Sequence, residues 1–68
     1  MKPYELTSQR QVRSDFWANH PGLSHRRTVR MGDDRVYPAD TRMAFIDWID
    51  YLCRNQIISP RLADRVTL

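Results

Sequence analysis

The side chains best equipped for chemistry are one cysteine, two histidines and eight carboxylates, set against eleven basic residues. A nucleophilic thiol needs a general base and an activating, partly exposed setting. Cys53 instead shares an apolar helical face with Ile49 and precedes Ile57 and Ile58, a pattern that reads as core packing. His20 closes a predicted helix, where an imidazolium complements the helix dipole. His25 lies in a basic loop. A pairing such as His20 with Asp33 stays open, but no spacing selects it. Asp33, Asp34 and Asp40 lack the alternation of a calcium-binding loop. Two histidines and one cysteine scattered along the chain do not make a zinc site. Gly22 and Gly32 are the only glycines, so there is no glycine-rich phosphate loop. The inventory predicts a non-catalytic protein that uses no metal and no cofactor.

What remains is cationic and aromatic. Arg26, Arg27, Arg30 and Arg35 fall within ten residues, with Tyr37 close behind. Arginines interleaved with an aromatic suit a phosphate backbone and a stacked base. Against that, Asp33 and Asp34 lie among them, where a phosphate would approach, and residues 20–42 sum to only +2. Ten of the eleven basic residues are arginine. This fits either phosphate and carboxylate recognition by the guanidinium fork or the codon usage of a GC-rich genome. On a predicted first helix, Arg13 and Trp17 are spaced i,i+4, which suits cation–π stacking. Arg13, Trp17, Arg26, Arg27, Arg30, Arg35 and Tyr37 are thus the candidate contact residues.

These residues must be held by a very small scaffold. Sixty-eight residues bound the chain to a single domain. A core of that size supplies roughly 3–5 kcal/mol. A disulfide within the chain is excluded by the lone Cys53, whereas a homodimer is possible. The lone cysteine, and a start without an apolar leader, predict a reducing, cytoplasmic setting. No apolar run approaches the roughly 20 residues of a membrane span.

The expected fold is mainly α, a small three-helix domain with a central basic loop or short β-hairpin. Residues 1–7 read as an extended arm. Ser8 and Gln11 fit a capping box for a helix over residues 9–19, stopped by His20-Pro21-Gly22. Gly32-Asp33-Asp34 is a turn that either pairs residues 28–31 with 35–37 or closes an irregular loop. Asp40 is the expected N-cap of the second helix, residues 41–54. Phe45, Ile49 and Leu52 form its core face, and Asp50 to Arg54 an i,i+4 pair. Ser59-Pro60 starts a short third helix that presents Leu62, Ala63 and Val66. The apolar arc of the second helix runs from Tyr51 through Trp48, Leu52, Phe45 and Ile49 to Ile46, about 220° wide, more than a one-sided stripe. Either the arm, the loop and the third helix cover both edges, or one edge is an interface.

Three blocks carry a resemblance. They are Gln11-Val12-Arg13 with Phe16-Trp17 and His20-Pro21, then Tyr37-Pro38-Ala39-Asp40-Thr41-Arg42 with Ala44-Phe45, then Ile58-Ser59 with Leu62-Ala63 and Arg65-Val66-Thr67-Leu68. Together they resemble short orphan accessory proteins of bacterial phages, plasmids and integrative elements. The resemblance implies a setting, not a chemistry: a small inhibitor, of the anti-CRISPR or antirestriction kind, docking on a host or defence protein or nucleoprotein. The alternative expectation is a small DNA- or RNA-binding accessory protein that uses the arginine loop for backbone contacts.

Overall fold

The first helix is set by its cap. Ser8 is extended (φ −128°, ψ 156°) and its hydroxyl accepts the Gln11 N–H at 3.2 Å. The Gln11 side-chain Oε1 accepts the N–H groups of Thr7 at 2.8 Å and Ser8 at 3.2 Å. The predicted capping box is therefore complete, and α1 runs over Gln9–Asn19. The computed structural model describes residues 4–68, so the beginning of the predicted arm, residues 1–3, lies outside the described residues. The rest of the arm is tied down, because Leu6 donates its N–H to the Ile57 carbonyl at 3.1 Å.

The central segment forms a hairpin. β1 (Val29–Met31) and β2 (Asp34–Val36) pair antiparallel, with Val29 opposite Val36, Arg30 opposite Arg35 and Met31 opposite Asp34. The two-residue turn holds Gly32 at φ 62° while Asp33 keeps a negative φ, the pattern of a type II′ turn. Alternation puts Arg30 and Arg35 on one face of the ribbon and Val29, Met31 and Asp34 on the other.

α2 (Ala39–Arg54) begins two residues earlier than expected. Pro38 is the N-cap, with no side-chain capping bond, so the expectation of Asp40 as N-cap is corrected. Extended Pro38 (φ −56°, ψ 154°) lets the helix start at once, and the Asp40 carboxylate accepts the Thr41 N–H at 2.8 Å from inside the first turn. The other end closes with Gln56 in the left-handed region at φ 57°. Ile57 N–H donates to the Leu52 carbonyl at 2.9 Å and Gln56 N–H to that of Cys53 at 3.1 Å, the two bonds of a Schellman closure. Asp50 and Arg54 pair at 3.0 Å as expected, on a well-exposed surface where such a bridge is worth only about 0.3–0.5 kcal/mol.

α3 (Pro60–Arg65) is capped by Ser59, whose hydroxyl accepts the Leu62 N–H at 3.1 Å. The helix ends at Arg65, and Val66 packs just after it. The core gathers Val12 and Phe16 from α1, Phe45 and Leu52 from α2, Ile58 from the junction, and Val66. Of the expected core face, Phe45 and Leu52 are buried and Ile49 is half-buried. Cys53 is half-buried against this cluster. The protein is thus mainly α, three helices with one antiparallel hairpin. No helix among the described residues is long and apolar enough to cross a membrane.

Candidate docking cleft

α2 exposes one edge of its wide apolar arc. Arg42, Phe45, Ile46 and Ile49 follow one another along that edge at helical spacing. Ile46 is 66% exposed, since neither α1 nor α3 packs over it. The segment after α3 borders this edge on one side and β2 borders it on the other, leaving an open cleft of about 740 Å³. Phe45, Ile46, Ile49, Ala63 and Val66 supply an apolar floor. Arg27, Arg35 and Arg42 stand at its rim, with Asp34.

The rim is net cationic, three arginines to one aspartate, and none of the arginines is paired. Among the described residues the single ion pair is Arg54 with Asp50, so none of the rim guanidinium groups has a carboxylate within bridging distance. Arg27 instead lies over the Tyr37 ring at 5.5 Å. That ring belongs to a continuous aromatic chain into the core. Tyr37 meets Trp17 at 5.6 Å, Trp17 meets Phe16 at 4.9 Å, and Phe16 meets Phe45 edge-on at 5.1 Å. Aromatic pairs in such tilted and T-shaped geometries add directional attraction to their burial. The chain of rings therefore holds the base of the hairpin, and Arg27 with it, against α1 and α2.

The candidate contact residues divide accordingly. Arg27, Arg35 and Tyr37 meet at the cleft. Arg26 and Arg30 are exposed on the central segment but do not line it. Trp17 is half-buried, with the His25 ring tilted against it at 4.5 Å, and serves as a strut beneath Tyr37. The expected Arg13–Trp17 stacking is corrected: Arg13 donates from Nη1 to the Thr67 carbonyl at 3.1 Å and to Gln9 at 3.3 Å. A long-range carbonyl has outcompeted the neighbouring ring. Asp34 pairs with Met31 on the ribbon face opposite Arg30 and Arg35, yet it lines the cleft beside Arg27, Arg35 and Arg42.

Sequence reasoning missed Arg42 and the role of Val66 as cleft floor. Arg42 precedes Ile46 by one helical turn, which was the available signal. His20 is held without Asp33: its Nδ1 lies 2.8 Å from the Phe16 carbonyl and its ring stacks on Phe16 at 4.5 Å. No three His, Cys, Asp or Glu side chains converge as a metal-binding group among the described residues. Comparison with protein-family models, with curated proteins and with solved structures gave no match.

Proposed function

We propose that the protein is a non-catalytic docking module that binds a partner protein through the cleft between β2, α2 and the segment after α3. The observation that carries this reading is an open cleft with an apolar floor, at which Ile46 stands exposed, and three unpaired arginines at its rim. Exposed apolar surface rimmed by polar residues marks interaction sites, and arginine is enriched in interface hot spots. The resemblance to mobile-element accessory proteins makes the partner a host or defence protein, met in a reducing, cytoplasmic setting that suits the lone Cys53. The test is capture of a partner from nuclease-treated bacterial lysate by immobilised protein, with Ile46→Asp and Arg42→Glu as separate baits. Both residues are exposed, so neither change disturbs the core. A partner retained equally by all three baits removes the cleft from the function.

A second reading, nucleic-acid backbone binding, is favoured by a different observation. Arg30 and Arg35 lie directly opposite on one hairpin face, and Asp34 lies on the other. Like charges placed opposite destabilise a ribbon, and a bound phosphate relieves that repulsion.

A further inference from the structure

The cleft runs alongside a sheet edge, not beneath a sheet face. Its lining includes Asp34, Arg35, Val36 and Tyr37, four consecutive residues whose side chains alternate between both faces of the ribbon. The residues of β1 are absent from that lining.

The register fixes what the edge presents. Met31 and Asp34 flank the two-residue turn and form the hydrogen-bonded pair, so Arg30 and Arg35 form the non-hydrogen-bonded pair that follows. The N–H and C=O of Arg35 therefore point away from β1, and among the described residues no loop, cap or side-chain group bonds them. An exposed edge of this kind is a template for another strand.

We propose that the cleft receives an extended acidic segment of the partner protein, which adds to the β2 edge as a third strand. This rests on the docking reading above and specifies how the partner is held. Backbone bonds to Arg35 give the segment its register. Side chains on one of its faces pack on Ile46 and Ile49, with Arg42 at the end of that helical row, and those on the other meet Arg27 and Arg35. The matching sequence alternates apolar and acidic residues, the pattern read by strand addition elsewhere. A helical occupant already satisfies its own backbone and leaves the Arg35 groups unbonded. A second copy of this chain is disfavoured, because the protein carries a net charge of +3 and edge-to-edge pairing would set one arginine-bearing β2 against another.

The probe is a fluorescein-labelled peptide of alternating valine and glutamate, titrated against the full chain by anisotropy, with the Arg35 amide followed by NMR. Two further versions are N-methylated, one on every valine and one on every glutamate. Only one of those sets faces β2 in a strand, so one version should lose at least tenfold in affinity while the other binds. Arg35→Glu and Arg42→Glu should each weaken the unmodified peptide at least tenfold, and the Arg35 amide should shift on binding. Equal binding of both N-methylated versions overturns strand addition, as does failure of the extended peptide to bind. If a helical peptide of glutamate, leucine and alanine binds the cleft instead, and Ile46→Asp abolishes it, strand addition falls and the docking reading stands. If an oligonucleotide binds and neither peptide does, both fall.

Discussion

Trp48 on α2 donates its indole N–H to the Asp15 carboxylate on α1 across 3.0 Å. Helices this short hold together through few long-range contacts, and here an aromatic that belongs partly to the core also supplies a directional bond. The His20 ring packs edge-on against the same indole at 5.1 Å, so Trp48 fixes the C-terminal end of α1 in two ways.

Trp48→Phe keeps most of the ring and removes the donor. Hydrogen bonds to a charged partner contribute about 1.5–3 kcal/mol, and half-burial of this pair places the expected loss near the lower value. Urea denaturation should show a lower midpoint with an unchanged slope. Wild-type stability in Trp48→Phe would mean that the bond contributes nothing beyond packing.

Leu52 and Ile49 separate core from cleft. Leu52 is 2% exposed, and Leu52→Ala should cost about 2–5 kcal/mol. With total stability of roughly 3–5 kcal/mol for a chain this size, that variant should be largely unfolded at 37 °C by circular dichroism. Ile49→Ala, half-buried at the cleft floor, should remain folded. Equal losses would show that the cleft floor is as much a part of the core as Leu52.

Thr41 is fully buried on the first turn of α2, and its hydroxyl has no hydrogen-bond partner. An unpaired buried polar group costs about 1–3 kcal/mol. Thr41→Val removes the hydroxyl at similar volume and should raise the melting temperature. A lower melting temperature would mean that the hydroxyl is satisfied in solution.

Gln56 occupies the left-handed region without being glycine. That conformation costs a side chain-bearing residue about 1–2 kcal/mol. Gln56→Gly should therefore stabilise the α2 closure, by somewhat less than this because glycine loses more chain entropy on folding. Matched thermal melts of the two proteins measure the difference.

Backbone binding by nucleic acid is tested by salt. Four phosphates neutralised by Arg26, Arg27, Arg30 and Arg35 would give a slope of about −3.6 in log K against log salt on duplex DNA, a fall of roughly 150-fold between 50 and 200 mM. Replacing Arg30 and Arg35 together by alanine should remove about 1.8 units of that slope. A slope indifferent to both substitutions excludes the paired hairpin face.

Local signals in the sequence were legible, and partner choice across the chain was not. Ser8 and Gln11 announce α1 because both halves of a capping box lie within four residues. Gly32 announces the turn because its φ of 62° favours glycine. Arg13 defeated the same local logic. An i,i+4 ring was the natural partner, but the acceptor it took, the Thr67 carbonyl, lies 54 positions away. The excess width of the α2 arc was visible as a pattern. Which edge stayed open depends on where α3 and the hairpin settle, and no periodicity encodes that. The Ile46 edge is open, while the opposite edge is partly closed by Asp15 reaching Trp48, leaving Tyr51 exposed.

The hairpin has no backbone hydrogen bond to any helix among the described residues. The helical framework is closed independently of it, by Leu6 to Ile57 and Arg13 to Thr67. Seen over evolutionary time, this frees the ribbon to diverge. Doubling the length of such a loop adds only about 0.6 kcal/mol of closure entropy. Related chains can therefore lengthen the turn, move the arginines or exchange the β2 edge while the framework stays intact. The ribbon that carries Arg30 and Arg35 is the part of the molecule most cheaply rewritten.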